Sequence, residues 1–310
     1  MSADVQKIRG MFVPVPTPFD GEGELDSELY GSMCDYYVDK GSNALFLLGS
    51  VGQGPSMRID QRKKALEVAV SAVGNRVPVV PNVGAVDPYT ASELAVHAKK
   101  MGVPAIAMVG PYYYSDRSED EIISHISMID KSAGLPLFIY DNPKYQGYSM
   151  HPAFMARIKD RVPNVFGVKI AKGGINDILR YQAAMGSEFK LFAPQQNLFP
   201  GMLVGQTGSV SPPLTMAIEV GIALVEAIDK GDLEYALEIQ KGIFKFSQTL
   251  DKFDKYGRSV QREGLRYAGF PIKQYPRWPT VEIPKDELPI LYKCIDEVKN
   301  VLRESSLVSG

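Results

Sequence analysis

Eight short apolar runs alternate along this chain with longer amphipathic segments, and that order restricts the fold more than any other feature. The runs are GMFVPVPTPF from Gly10, SNALFLLGS from Ser42, VPVVPNVGAV from Val77, VPAIAMVGPYYY from Val103, LPLFIYDNP from Leu135, NVFGVKIA from Asn164, FKLFAP from Phe189 and TGSVSPP from Thr207. They are close to continuously apolar, without the strict alternation of a strand that has one wet face. Each therefore reads as a strand covered on both sides.

The segments between them carry helix signals. The one opening at Asp26, a plausible N-cap, puts Leu29, Met33 and Tyr37 on one face and stops at Gly41. The next has Ala65, Leu66, Ala69, Ala72 and Val73 on its buried side and Gly74 as its stop. DPYTASELAVHAKKMG and SEDEIISHISMIDKSAG repeat the scheme, acidic early and basic late. Strand–helix units in strict alternation imply a parallel sheet, and eight of them close a barrel, so the expected fold is α/β, a (β/α)8 TIM barrel. A doubly wound open sheet would bring a glycine-rich nucleotide loop after its first strand, and PVPTPFDGEGELD is no such loop. Beyond Pro213 the alternation stops, and helical pattern follows, interrupted by the turn-rich YAGFPIKQYPRWPTVEIP. The expected division is a catalytic barrel over residues 1–229 and a helical extension over 230–310 packed on it.

Charge and rare residues exclude whole classes of function. The net charge of -2 comes from 34 basic and 36 acidic residues with no block of one sign, which gives no electrostatic case for nucleic acid or an anionic membrane. His97, His125 and His151 lack ligand-like spacing, so no metal is expected, and His151 before a proline looks like part of a helix cap. Cys34 and Cys294 lie far apart in helical patterns and read as buried free thiols. The opening MSADVQKIRG has no apolar core of signal-peptide length and no run reaches membrane-spanning length, so a cytoplasmic protein is expected.

One residue does not fit its surroundings. In NVFGVKIA a lysine, Lys169, sits near the end of an apolar strand, where a barrel directs side chains into its site. A solvated strand-end lysine is the ordinary reading, but a buried ammonium is desolvated, its pKa falls, and it becomes an amine nucleophile able to form a Schiff base with a ketone. Lys172, in the following loop, is the weaker candidate. An imine-forming lysine needs a proton carrier and a carboxylate holder. Tyr140 ends the neighbouring strand, and a nearby ammonium would lower its pKa. Gly49 and Gly52 flank Ser50 and Val51, letting backbone N–H groups approach an anion.

Together these segments carry a resemblance. TPF (Thr17 to Phe19), GSVGQ (Gly49 to Gln53), PYYY (Pro111 to Tyr114), IYDNP (Ile139 to Pro143) and GVK (Gly167 to Lys169) stand in this order. Over nearly its whole length the chain resembles the class I pyruvate-type aldolase family that includes dihydrodipicolinate synthase and N-acetylneuraminate lyase. The resemblance implies that Lys169 forms the imine with pyruvate, that Tyr140 shuttles the proton, and that Ser50 is a relay hydroxyl. It implies a carboxylate site at Gly49, Ser50 and Val51, where Val51 replaces the usual threonine, and further substrate contacts at Asn142 and Val210. Tyr113 matches a residue that crosses a subunit interface, implying a homo-oligomer, a dimer of dimers. No cofactor is implied beyond the covalent lysine imine, and the partners are a small 2-keto acid and an aldehyde.

Within the family, Tyr145 stands where the synthase carries an arginine for the aldehyde's carboxylate. GQGPSM, PYYYSDRSEDEI and YPRWP look instead like archaeal-type 2-keto-3-deoxygluconate aldolases, in which an arginine near Arg117 holds a substrate phosphate. Val51, Asn142 and Ala171 occupy positions where that subgroup places hydroxyls, leaving fewer hydrogen bonds for a sugar acid at about 0.5–1.5 kcal/mol each. A less polar aldehyde, a dehydratase or hydratase-aldolase outcome, a synthase-like reaction and a non-catalytic keto-acid binder are the alternatives. A flavin-binding barrel is disfavoured because GMLVGQTGSVSPP makes no phosphate cup.

Overall fold

The computed structural model describes residues 8–302. The opening seven residues, part of the segment read for a leader, and the last eight residues of the extension lie outside them. All eight runs contain a strand: β1 (Gly10–Pro14), β2 (Ala44–Leu47), β3 (Val79–Pro81), β4 (Ile106–Val109), β5 (Leu137–Asp141), β6 (Val165–Ile170), β7 (Lys190–Phe192) and β8 (Gly208–Val210). They pair in the order β3-β2-β1-β8-β7-β6-β5-β4, each pair parallel. Between β3 and β4 an Asn82–Ala107 bridge, with the Val83 amide donating to the Ala107 carbonyl at 2.7 Å, joins the two ends of the sheet. The result is a (β/α)8 TIM barrel with C-terminal helices. At the β1–β8 seam a Cβ on Gly208 would lie 2.0 Å from the Gly10 carbonyl oxygen, so the two strands can meet there only without a side chain.

Helices α1 (Ser27–Asp39), α2 (Ile59–Val73), α3 (Pro88–Lys100), α4 (Glu119–Ala133), α5 (Pro143–Gln146), α6 (Pro152–Arg161), α7 (Ile175–Met185), α8 (Leu198–Leu203) and α9 (Ile218–Asp229) alternate with the strands. Asp26 and His151 cap their helices as expected, and Asp87 and Ser118 cap two others. Asp26 accepts from the Leu29 amide at 3.0 Å and Asp87 from Thr90 at 2.9 Å. Ser118 and Glu121 form a capping box, and His151 Nδ1 accepts from the Phe154 amide at 3.2 Å. Three more helices, α10 (Leu233–Asp251), α11 (Ser259–Tyr267) and α12 (Leu288–Lys299), follow the barrel.

Two apolar layers hold this together. The larger lies between strands and helices and includes Cys34 and Cys294, both free and buried. The smaller fills the barrel, where the Phe12 and Phe192 rings sit 4.5 Å apart and Phe138 meets Phe192 at 5.3 Å. Full burial of such side chains contributes about 1.5–3 kcal/mol each. The turn-rich stretch between α11 and α12 crosses back to the barrel mouth. There the Phe19 amide donates to the Gln274 carbonyl at 2.7 Å, Tyr275 Oη to the Val51 carbonyl at 3.0 Å, and the Arg277 amide to Gln53 Oε1 at 2.8 Å. Among the described residues no helix is long and apolar enough to cross a membrane.

Candidate active site

Lys169 is the penultimate residue of β6 and 8% exposed, in register with Tyr140 on β5 and Phe192 on β7. Simple alternation from Val165, which faces the helix layer, would send Lys169 to the same outer side. The register shows why it does not. Leu137 pairs with Val165 but Phe138 pairs with Gly167, so β6 carries one extra residue at this point. A bulge of one residue transfers every later side chain to the opposite face. Phe166 therefore points into the barrel, Val168 back to the helices, and Lys169 inward again. Gly167 permits this, because a Cβ there would lie 2.5 Å from the Lys190 carbonyl oxygen and 2.8 Å from the Phe138 ring.

The lysine Nζ lies 3.6 Å from the centroid of the Tyr140 ring. Tyr140 is 4% exposed, and its hydroxyl is 3.3 Å from Ser50 Oγ and accepts from Asn142 Nδ2 at 2.6 Å. Burial pushes this phenol up, but the Lys169 ammonium and hydrogen bonds with Ser50, Lys169 and Asn142 outweigh it, so it ionises below the usual tyrosine range. A lysine, an acidified phenol and a hydroxyl thus meet at the C-terminal ends of β6, β5 and β2, where barrels place their chemistry.

These groups line a cavity of about 540 Å³ that also takes in Asn142, Ala171 and Val210. A second chamber of about 250 Å³ shares Ser50, Tyr140, Tyr145 and Arg258 with it and adds Asn82, Tyr112 and Trp278. Ser50 is the part of its loop that reaches both. Gly49 packs against Phe46, where a Cβ would be 2.6 Å from the ring. The Val51 side chain is buried and lines neither cavity, so it does not face a substrate tail. Ala171 and Asn142 do face the larger one.

Tyr113 and Arg117 are not brought to these cavities within one chain. Tyr113 is 80% exposed at φ 76°, its ring against Tyr114 at 4.9 Å. Arg117 donates from Nη2 to the Val86 carbonyl at 3.3 Å, and its guanidinium lies 5.9 Å from the Tyr114 ring centroid. Among the cavity residues that escape a sequence reading are Arg258 and Trp278, both from the C-terminal extension. Trp278 stands in the YPRWP stretch, whose signal in the sequence is only its likeness to the sugar-acid aldolases. Nothing local marks Arg258, since its nearness to Tyr145 is a product of the whole fold.

A parallel eight-stranded barrel with a buried lysine against a phenol at its strand ends has the architecture of a Schiff-base lyase. Residues 7–298 match the dihydrodipicolinate synthetase family model, and the chain belongs to that family. It is a pyruvate-dependent lyase of the lysine Schiff-base type, and the family works without metal or separate cofactor. The 4-hydroxy-tetrahydrodipicolinate synthase of Brucella abortus biovar 1 (strain 9-941) is 29% identical over 244 residues, 78% of this chain and 83% of that one. YagE, a prophage protein of the same family from E. coli K12 solved in complex with pyruvate, is 25% identical. It superposes with a TM-score of 0.88 over 94% of this chain and 99% of its own. A catalytic lysine mutant of the Ruminococcus gnavus sialic acid aldolase shares the fold at 22% identity, with a TM-score of 0.87 over 97% of this chain and 98% of its own.

Proposed function

We propose that Lys169 forms an imine with the 2-keto group of a 2-keto-3-deoxy sugar acid, 2-keto-3-deoxygluconate or its phosphate, and that the enzyme cleaves it to pyruvate and an aldehyde. The observation that carries this is the buried Lys169 ammonium 3.6 Å from the Tyr140 ring in a cavity of about 540 Å³. Tyr140 as phenolate takes a proton from the Lys169 ammonium, the free amine adds to C2, and loss of water from the carbinolamine leaves an iminium. Tyr140, with Ser50 as relay, carries the protons of these steps. Tyr140 as phenolate then takes the C4 hydroxyl proton, the C3–C4 bond breaks, and its electron pair moves into the iminium to give an enamine. The aldehyde departs, C3 is protonated, and water releases pyruvate from Lys169. The reading assigns the keto-acid carboxylate to Ser50 and the amides of its loop, with Asn142 and Val210 beside it.

The sugar-acid assignment is supported by the GQGPSM and PYYYSDRSEDEI segments and by Tyr145 at the synthase's arginine position. A second reading, cleavage of adducts of less polar or aromatic aldehydes, is favoured by the side chamber between Tyr112, Tyr145 and Trp278. Borohydride reduction with pyruvate should add a pyruvyl mass to the Lys169 peptide. Label on Lys172, or none, defeats the imine assignment. A panel of sugar acids, their phosphates and aromatic adducts, beside a synthase assay with aspartate semialdehyde, tests the substrate. Synthase activity above every cleavage activity overturns the sugar-acid assignment. Tyr113 is assigned to a neighbouring subunit's site in a homo-oligomer, consistent with its exposure.

A further inference from the structure

Arg258 is the arginine that both cavities share, and its surroundings are unlike those of the chain's surface arginines. Arg9, Arg58, Arg76 and Arg157 are each paired with carboxylates. Among the described residues, half-buried Arg258 donates to neutral oxygens alone, Tyr145 Oη at 3.2 Å and Gln261 Oε1 at 3.3 Å. Among the described residues no carboxylate forms an ion pair with it. A guanidinium has five N–H donors, so donors remain for a ligand.

The walls reinforce this. The larger cavity is lined by Lys144, Lys169, Lys172 and Arg258, and neither cavity is lined by an aspartate or glutamate. One substrate carboxylate and one imine do not account for that excess of positive charge. Lys144 and Lys172 are exposed, but Lys169 is buried and Arg258 half-buried, and a cation shielded from water attracts an oppositely charged group more strongly than a water-exposed one.

We infer that Arg258, with the Tyr145 hydroxyl beside it, binds a second anionic group at the aldehyde end of the substrate. The group is a carboxylate or a phosphate, either of which matches the guanidinium fork. Arg258 reaches the site from the C-terminal extension, directly after Gly257, whose φ is 50°, and immediately before α11. The strong distal cation that Tyr145 cannot supply is thereby restored from another element. This rests on the reading that Lys169 holds the keto-acid end.

The test compares kcat and KM for 2-keto-3-deoxygluconate, its 6-phosphate and aspartate semialdehyde with pyruvate, in wild type, Arg258→Gln, Arg258→Lys and Tyr145→Phe. The expected wild-type enzyme prefers an anionic distal group, and the phosphate and carboxylate arms show which. Arg258→Gln should reduce that preference about 10–100-fold, the range for a hydrogen bond to a charged group. The loss should fall in KM, with Arg258→Lys recovering most of it and Tyr145→Phe losing less. Added salt should weaken the wild-type preference, a readout that does not depend on any variant folding. A wild-type enzyme that traps pyruvate on Lys169 but shows no anionic preference overturns this inference alone. An unchanged preference in Arg258→Gln does the same, whereas failure to trap pyruvate overturns the imine reading instead.

Discussion

At the residue scale the proposed chemistry turns on what Lys169 does to Tyr140. The phenol lies below its ordinary range although burial alone would raise it, and the cation against its ring is the principal opposing influence. Replacing Lys169 by Met removes that cation while burial remains, so the Tyr140 pKa should rise. Ultraviolet titration of Lys169→Met against wild type, with Tyr140→Phe to identify the signal among 16 tyrosines, measures this. A phenol that titrates unchanged would mean that the ammonium does not control it. Tyr140→Phe should keep the fold, since the ring still packs against Phe46, yet lower turnover by about 10²–10⁴-fold if the hydroxyl is the general acid–base. Near-normal turnover would reduce the residue to packing. Both residues were legible in the sequence because a charge at the end of an apolar run and a tyrosine one strand away are local signals.

At the scale of elements, all eight strands fall inside runs that apolar continuity marks, because a strand buried on both faces leaves that imprint on its own residues. What aims Lys169 does not. The bulge in β6 is a relation between two strands, visible only when Leu137–Val165 and Phe138–Gly167 are seen in register. Gly167 belongs to the GVK motif, and its physical reason is the 2.5 Å separation its Cβ would have from the Lys190 carbonyl oxygen. Gly167→Ala must therefore displace β7 or straighten β6. It should cost about 1–3 kcal/mol in urea unfolding, as overpacking does, and slow borohydride trapping of pyruvate by misaligning the lysine. Wild-type stability together with a wild-type trapping rate would show that the bulge is not what positions the nucleophile. Arg258 and Trp278 were illegible for the same kind of reason. The chain meets its own earlier loops there through Tyr275–Val51 and Arg277–Gln53, contacts separated by 224 residues.

At the scale of the whole molecule, the exposed aromatic pair is the feature a single chain does not explain. Tyr113 holds a left-handed backbone conformation that is costly for a residue with a side chain, and it keeps 80% of its surface open. Tyr114 beside it is 56% exposed. If Tyr113 completes the site of a neighbouring subunit, the two halves of the machinery come from different chains, and that has a genetic signature. A chain with Lys169→Met keeps its tyrosine, and a chain with Tyr113→Phe keeps its lysine. Mixed into one dimer, they assemble a site with Lys169 from the second chain and Tyr113 from the first. Each variant alone should be impaired, and co-expression should restore activity above the mean of the two, with hybrid oligomers confirmed by native mass spectrometry. If Tyr113 instead acted within its own chain, every site in the hybrid would lack one group. Hybrids that form without any recovery would therefore place Tyr113 outside the neighbouring site and leave its exposure to be explained by another role.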